Sequence, residues 1–317
     1  MYKAVEKQIG ELTLSLEVGN IAKQADGAVL VRYGDSIVLA SVCVNKKADP
    51  EKGFLPLTVE YREKSYAIGK IPGNFFRREG RPNAKEILTA RLIDRPLRPL
   101  FPKGFKNEVQ IIVTVLSSDQ ENDQDILGLI GSSAACAISP LPIQKIVSAV
   151  RVGYINNEYI INPTFQQCNE SDINIVVAGS DDDIIMVEGN CFEVSEDIMI
   201  GALEFAKTYI KILCDLQREL CGIAAPIMEY ETNIPLDEMI KDVYNLCNED
   251  IKSTIKIQDK TERNEKLEII LEKVFETFGE TYPESENKLK LAFEDAEKKI
   301  VRDMILTENI RIDGRKP

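Results

Sequence analysis

Phe75-Phe76-Arg77-Arg78-Glu79-Gly80-Arg81-Pro82 and, after Asn83 and Ala84, Lys85-Glu86-Ile87-Leu88-Thr89-Ala90-Arg91-Leu92-Ile93-Asp94-Arg95-Pro96-Leu97-Arg98-Pro99-Leu100-Phe101-Pro102 form the stretch on which the reading of the fold turns. Pro72-Gly73 upstream and Gly80 within it break regular structure, so two phenylalanines and two arginines fall on a loop. Exposed aromatics on a loop are costly unless they contact something. Single-stranded nucleic acid offers base faces for the rings and phosphates for the arginines; the alternative is that both rings fold inward. Asn83 with Glu86 reads as a capping box opening a helix to about Leu97. That helix sets Arg91, Arg95 and Arg98 at i, i+4 and i+7 on one face, unless it bends or ends at Pro96 and Arg98 leaves the stripe. Asp94 satisfies only part of this charge. Two guanidiniums are then left for phosphate or RNA backbone, with ordinary ion pairing inside the fold as the alternative.

The stretch lies in a positive island. From Arg62 to Lys106 there are 12 Lys/Arg against 4 Asp/Glu, in a 317-residue chain whose net charge is −13. Charge alone does not choose between a solvated surface and a polyanion patch. At 44% hydrophobic and 29% charged the composition is globular. The absence of histidine excludes Ser-His-Asp and Cys-His catalysis and every His-ligated metal. Seven scattered cysteines without a C-x-x-C pair point to reduced thiols in a cytosol. No apolar run is long enough to cross a bilayer, so no membrane association is expected.

Upstream of the island the chain reads as strands. Leu12, Leu14 and Leu16 alternate with polar residues, and the runs 28–32 and 36–44 meet at Tyr33-Gly34-Asp35, a tight hairpin. A further strand is expected over 54–61. Downstream, strands are expected at 109–116, 147–155, 159–161, 173–178 and 184–187. An apolar helix is expected at 125–138, and a long one after Ser195 to about Gly222. Frequent hairpins favour an α+β domain with mixed sheets and packed helices, residues 1–230, over a doubly wound parallel sheet. After a Pro-bounded stretch at 226–235, three amphipathic segments near 236–250, 262–279 and 286–306 make a small all-α domain, 236–310. With 15 basic and 20 acidic side chains over 236–317, charge argues that it is not a nucleic-acid module. Residues 311–317 lead onward, as the truncated start of another domain in a longer protein. Asp181-Asp182-Asp183 reads as a solvated hairpin tip, and Gly131-Ser132-Ser133 as tight packing within a helix.

The opening stretch, with Gly10-Glu11-Leu12, Tyr33-Gly34-Asp35, Ala149-Val150-Arg151-Val152-Gly153-Tyr154 and Val176-Val177-Ala178-Gly179, resembles the first core domain of the bacterial polynucleotide phosphorylase family. The resemblance implies an RNase PH-like core, then the family's all-helical domain, with Arg311 to Arg315 opening a second core. It implies a phosphate-dependent 3′-to-5′ exoribonuclease of mRNA degradation, a polyribonucleotide nucleotidyltransferase that releases nucleoside diphosphates reversibly. It further implies a cytoplasmic homotrimer around single-stranded RNA, with other RNA-degradation proteins as possible partners. Phe75, Phe76, Arg77 and Arg78 would grip RNA. Arg91 and Arg95, with Arg98 as a third candidate, would support phosphate or RNA backbone. Inorganic phosphate would be the co-substrate, and Mg²⁺ would be bound outside this chain.

Where that family's catalytic core has a phosphate loop and an Asp-x-Lys strand, this core reads Asn122-Asp123-Gln124-Asp125 and Asn174-Ile175-Val176. Two carboxylates repel phosphate, and valine offers Mg²⁺ no oxygen. No catalytic residue and no metal ligand is therefore expected here. Two other readings compete: a non-catalytic RNA-binding scaffold, and a self-sufficient single-domain phosphorolytic RNase, against which the altered positions weigh.

Overall fold

The computed structural model describes residues 2–48, 54–73, 80–143, 145–224, 235–283 and 285–316. It divides into two compact units, residues 1–102 with 106–230, and 103–105 with 231–317. In the first unit, β1 (Lys3–Ile9), β2 (Leu12–Val18), β3 (Gly27–Tyr33), β4 (Ser36–Ala48), β5 (Leu57–Glu63) and β6 (Asn107–Ser117) form one sheet in the order β1-β2-β3-β4-β6-β5. Every neighbouring pair is antiparallel except β5 with β6, so the sheet is mixed. A second, antiparallel sheet orders β7 (Ser148–Ile155), β8 (Glu158–Ile161), β9 (Ile173–Gly179) and β10 (Ile184–Cys191) as β10-β9-β7-β8. The helices of this unit are α1 (Ala84–Leu97), α2 (Asp125–Ala137), α3 (Phe165–Glu170) and α4 (Glu196–Ala224).

The hairpin expected at Tyr33-Gly34-Asp35 forms, with Tyr33 opposite Ser36 and Gly34 at φ +59. Alternation along it buries Val29, Val31 and Tyr33 on one strand and Val38, Ala40 and Val42 on the other. The apolar helix α2 packs on that buried face. Gly131 sets the approach: a Cβ there would lie 2.8 Å from Val31 Cγ2 and 3.1 Å from the Ala40 Cβ. Its serines are packing groups, as the sequence suggests. Ser132 Oγ donates to the Gly128 carbonyl at 2.7 Å, and Ser133 Oγ accepts from the Val147 amide at 3.1 Å.

Some boundaries differ from expectation. The strand expected from Phe54 begins at Leu57, and Phe54 is exposed. The short helix α3 was not anticipated, although Thr164 and Gln167 form a capping box that the sequence displays. In the second unit α5 (Asp237–Thr254), α6 (Lys260–Phe278) and α7 (Glu286–Glu308) pack Val243, Ile251, Val274, Phe293 and Ile300 into their own core.

Candidate functional site

Phe75, Phe76, Arg77 and Arg78 lie outside the described residues. Downstream of them, the start of α1 is fixed by its capping box. Asn83 Oδ1 accepts from the Glu86 amide at 2.9 Å, and Glu86 Oε2 accepts from the Asn83 amide at 2.7 Å. Glu86 Oε1 also accepts from the Glu63 amide at 3.0 Å, so one buried carboxylate ties the helix start to β5.

The three arginines of α1 have different surroundings. Arg91 is exposed and has no polar partner among the described residues. Arg95 meets Glu188 of β10 at 3.0 Å, a pair exposed on both sides and worth roughly 0–1 kcal/mol. Arg98 is in the helical region at the C-cap, just past Pro96. Its guanidinium donates to both Asp94 carboxylate oxygens, at 2.6 and 3.0 Å, and to the carbonyls of Leu55 and Leu57, at 3.1 Å each. One unpaired guanidinium therefore remains among the described residues of this helix, rather than two. The exposed face of α1 also carries Ile87 and Leu88, 49% and 59% exposed, so apolar and cationic groups sit side by side.

The stretches Asn122–Asp125 and Asn174–Val176 meet at Arg151 on β7. Its Nη1 donates to Asn174 Oδ1 at 2.7 Å, and its Nη2 to Asp125 Oδ2 at 2.5 Å and Asp123 Oδ2 at 3.3 Å. The strand register explains the reach: Arg151 pairs with Val176, and Asn174 is the next residue of β9 on the same face. Lys85, in the first turn of α1, lies 3.2 Å from Asp123 Oδ1 and 2.9 Å from Glu63 Oε1, which also accepts from the Tyr61 hydroxyl. Three carboxylates thus face two cations. The side chains of Asp125 and Arg151 are only 7% and 14% exposed.

Burial pushes the Asp125 carboxyl up to about 6, Asp123 adds to the rise, and Arg151 pulls against both. Burial works against the charges of Lys85 and Arg151, but Asp123, with Glu63 beside Lys85 and Asp125 beside Arg151, raises both. Three of the five N–H groups of Arg151 are committed to this cluster, and its Nε is buried without a hydrogen-bond partner; Asp123 and Asp125 beside it repel an incoming phosphate. The position likewise does not fit Mg²⁺, because a guanidinium stands among the oxygens that would bind it. Among the described residues no group of three or more acidic or cysteine side chains is placed to hold a metal.

Asp181 and Asp183 are not merely solvated: they pair with Arg218 and Lys145, the latter at 2.7 Å. All seven cysteines are free. No helix among the described residues is long and apolar enough to cross a membrane.

In fold the chain is similar to rice (Oryza sativa) Rrp46, with a TM-score of 0.53 at 15% identity over 68% of this chain and 96% of that one. Residues 12–142 match the 3′ exoribonuclease family, domain 1, and residues 145–209 match domain 2 of the same family. The chain belongs to the 3′ exoribonuclease family. More particularly, it is similar over nearly its whole length to polyribonucleotide nucleotidyltransferases. That of Persephonella marina is 45% identical over 317 residues, covering 99% of this chain and 44% of the relative. That of Borrelia hermsii is 43% identical over 322 residues, covering 99% and 45%. The chain therefore spans a little under half the length of these relatives. Residues 238–316 match the polyribonucleotide nucleotidyltransferase RNA binding domain. That match stands against the inference from the net charge of −5 that the helical unit is no nucleic-acid module.

Proposed function

We propose that this chain is the part of a phosphate-dependent 3′-to-5′ exoribonuclease that grips single-stranded RNA and builds the assembly, with its own core no longer catalytic. The observation that carries this reading is the Arg151 cluster. An internal cation and its carboxylates occupy the position where phosphate and Mg²⁺ would have to act. RNA contact is assigned to Phe75, Phe76, Arg77 and Arg78, continued along α1 by Arg91 and, through its weak surface pair, Arg95. Arg98 is assigned to the fold instead, since Asp94 and two carbonyls already hold it.

Chemistry then belongs to the remainder of the longer protein, with inorganic phosphate as nucleophile and Mg²⁺ bound there. Similarity to polyribonucleotide nucleotidyltransferases supports a homotrimer acting in mRNA decay, and seven free thiols fit a reducing cytoplasm. The test is fluorescence anisotropy of labelled oligo(A) on this chain. Phe76→Ala with Arg78→Ala should abolish binding, and Arg91→Ala should weaken it. Binding that survives all three substitutions would overturn the assignment.

A further inference from the structure

A second concave surface on the first unit lies beside β8 and α4, next to the Arg151 cluster, from which Asn122 and Asn162 separate it. It is a cleft of about 250 Å³ walled by Tyr159, Phe205 and Tyr209, with Glu11 at its rim. The rings form a continuous array: Tyr159 and Phe205 stack with centroids 5.6 Å apart, and Tyr209 meets Phe205 edge-on at 5.1 Å. The Tyr159 ring is locked, its hydroxyl donating to the Ile198 carbonyl at 2.8 Å. Its seat exists because residue 201 is glycine; a Cβ there would stand 2.3 Å from the hydroxyl oxygen.

Two polar groups on the lining are uncommitted. The Gln167 carboxamide oxygen accepts from the Thr164 amide at 2.9 Å, but its NH₂ has no partner among the described residues, nor does the Tyr209 hydroxyl. Glu11 is the one charged side chain on the lining. A phosphate is therefore disfavoured inside. A flat, uncharged ring with donors and acceptors on its edge is favoured, because aromatic walls stack it and the free amide and hydroxyl meet its edge. The volume suits one base and not a dinucleotide.

We infer that the cleft between Tyr159, Phe205 and Tyr209 is a binding site for a single amino-bearing nucleobase, with adenine the best-matched class. The exocyclic amine donates toward Glu11, the ring nitrogens accept from Gln167 and Tyr209, and sugar and phosphate stay in solvent. Such a base comes either from a free nucleoside or from an RNA strand. Only the second source rests on the RNA-gripping reading above.

Isothermal titration of the 317-residue chain with adenosine, uridine and ribose 5-phosphate tests the site. Adenosine should bind, uridine more weakly and ribose 5-phosphate not at all. Tyr209→Ala should weaken adenosine about tenfold or more, as expected for loss of a stacking wall. Tyr209→Phe, which keeps the ring and the fold, should weaken it less, and Glu11→Gln should erase the preference over uridine. No heat from adenosine at millimolar concentration, or binding indifferent to Tyr209→Phe, Tyr209→Ala and Glu11→Gln together, overturns the inference. Oligo(A) separates the sources: affinity lowered by Tyr209→Ala assigns the cleft to the strand, and unchanged affinity assigns it to free nucleosides. Adenosine binding that persists while oligo(A) fails to bind would sink the RNA-gripping reading and leave the cleft standing.

Discussion

Replacing Arg151 with methionine keeps most of the side-chain volume and removes the charge at the centre of the buried cluster. The loss has three parts. Asn174 Oδ1 is left without its donor, at about 1–2 kcal/mol. Asp123 keeps Lys85 and loses about 1 kcal/mol more. Asp125 loses its counter-charge, but its penalty is bounded, because it can take up a proton. With the carboxyl already at about 6 in the folded protein, keeping it neutral at pH 7.5 costs about 2 kcal/mol more than in the unsubstituted chain. The sum, about 4–5 kcal/mol at pH 7.5, falls within the range for breaking a buried ion pair.

At pH 5 the Asp125 part vanishes, leaving about 2–3 kcal/mol. The sign follows from proton binding: with its folded value above the ordinary 3.8, the folded chain holds the extra proton. Stability from this group is therefore greatest at low pH and is lost as pH rises through about 6. In Arg151→Met that loss continues to higher pH. Urea unfolding followed by far-UV circular dichroism at both pH values, with hydrogen exchange at α2 amides separating this unit from the helical one, measures it. A loss under about 1 kcal/mol at pH 7.5, or a larger loss at pH 5, would refute the argument.

Four further expectations follow from the same geometry. Asp125→Asn removes the titrating group and should flatten the pH dependence of unfolding between about 4 and 6, read by the same urea curves. Glu86→Ala breaks the capping box and the bond to the Glu63 amide, and should cost about 2 kcal/mol in thermal or urea unfolding. Gly131→Ala should cost about 1–3 kcal/mol, since its Cβ would press into Val31 and Ala40, and a substitution without effect would mean that α2 can lift from β3 and β4. Arg91→Ala should leave unfolding unchanged while lowering oligo(A) affinity and reducing the salt slope by about 1, whereas Arg98→Ala should mainly destabilise.

Much of the fold is legible locally. Gly34 at a two-residue turn, the Asn83–Glu86 capping box and the amphipathic segments of the helical unit all encode structure within a few residues of themselves. The Thr164–Gln167 box carried the same kind of signal for α3, but six residues is too short for a helical period to support it. What is not legible depends on how the strands pack. Glu188 neutralises Arg95 only because β10 comes beside α1, and nothing near Arg95 in sequence announces it. The resemblance leads one to expect that Asp123, Asp125 and Asn174 depart from a catalytic pattern. It does not show that Arg151 and Lys85 converge on them, because the cluster draws on α1, β5, the start of α2, β7 and β9. Ile87 and Leu88 are apolar residues that the packing of α1 leaves exposed, which their types alone do not announce.

The central claim is that this core holds RNA without cutting it. The measurement that tests it most directly supplies this chain with oligo(A), inorganic phosphate and Mg²⁺, and follows ADP release and oligo(A) binding in parallel. The account predicts binding with no ADP. Sustained ADP release that disappears in Asp123→Ala or Asn174→Ala would contradict it, because the cluster around Arg151 would then be a working site.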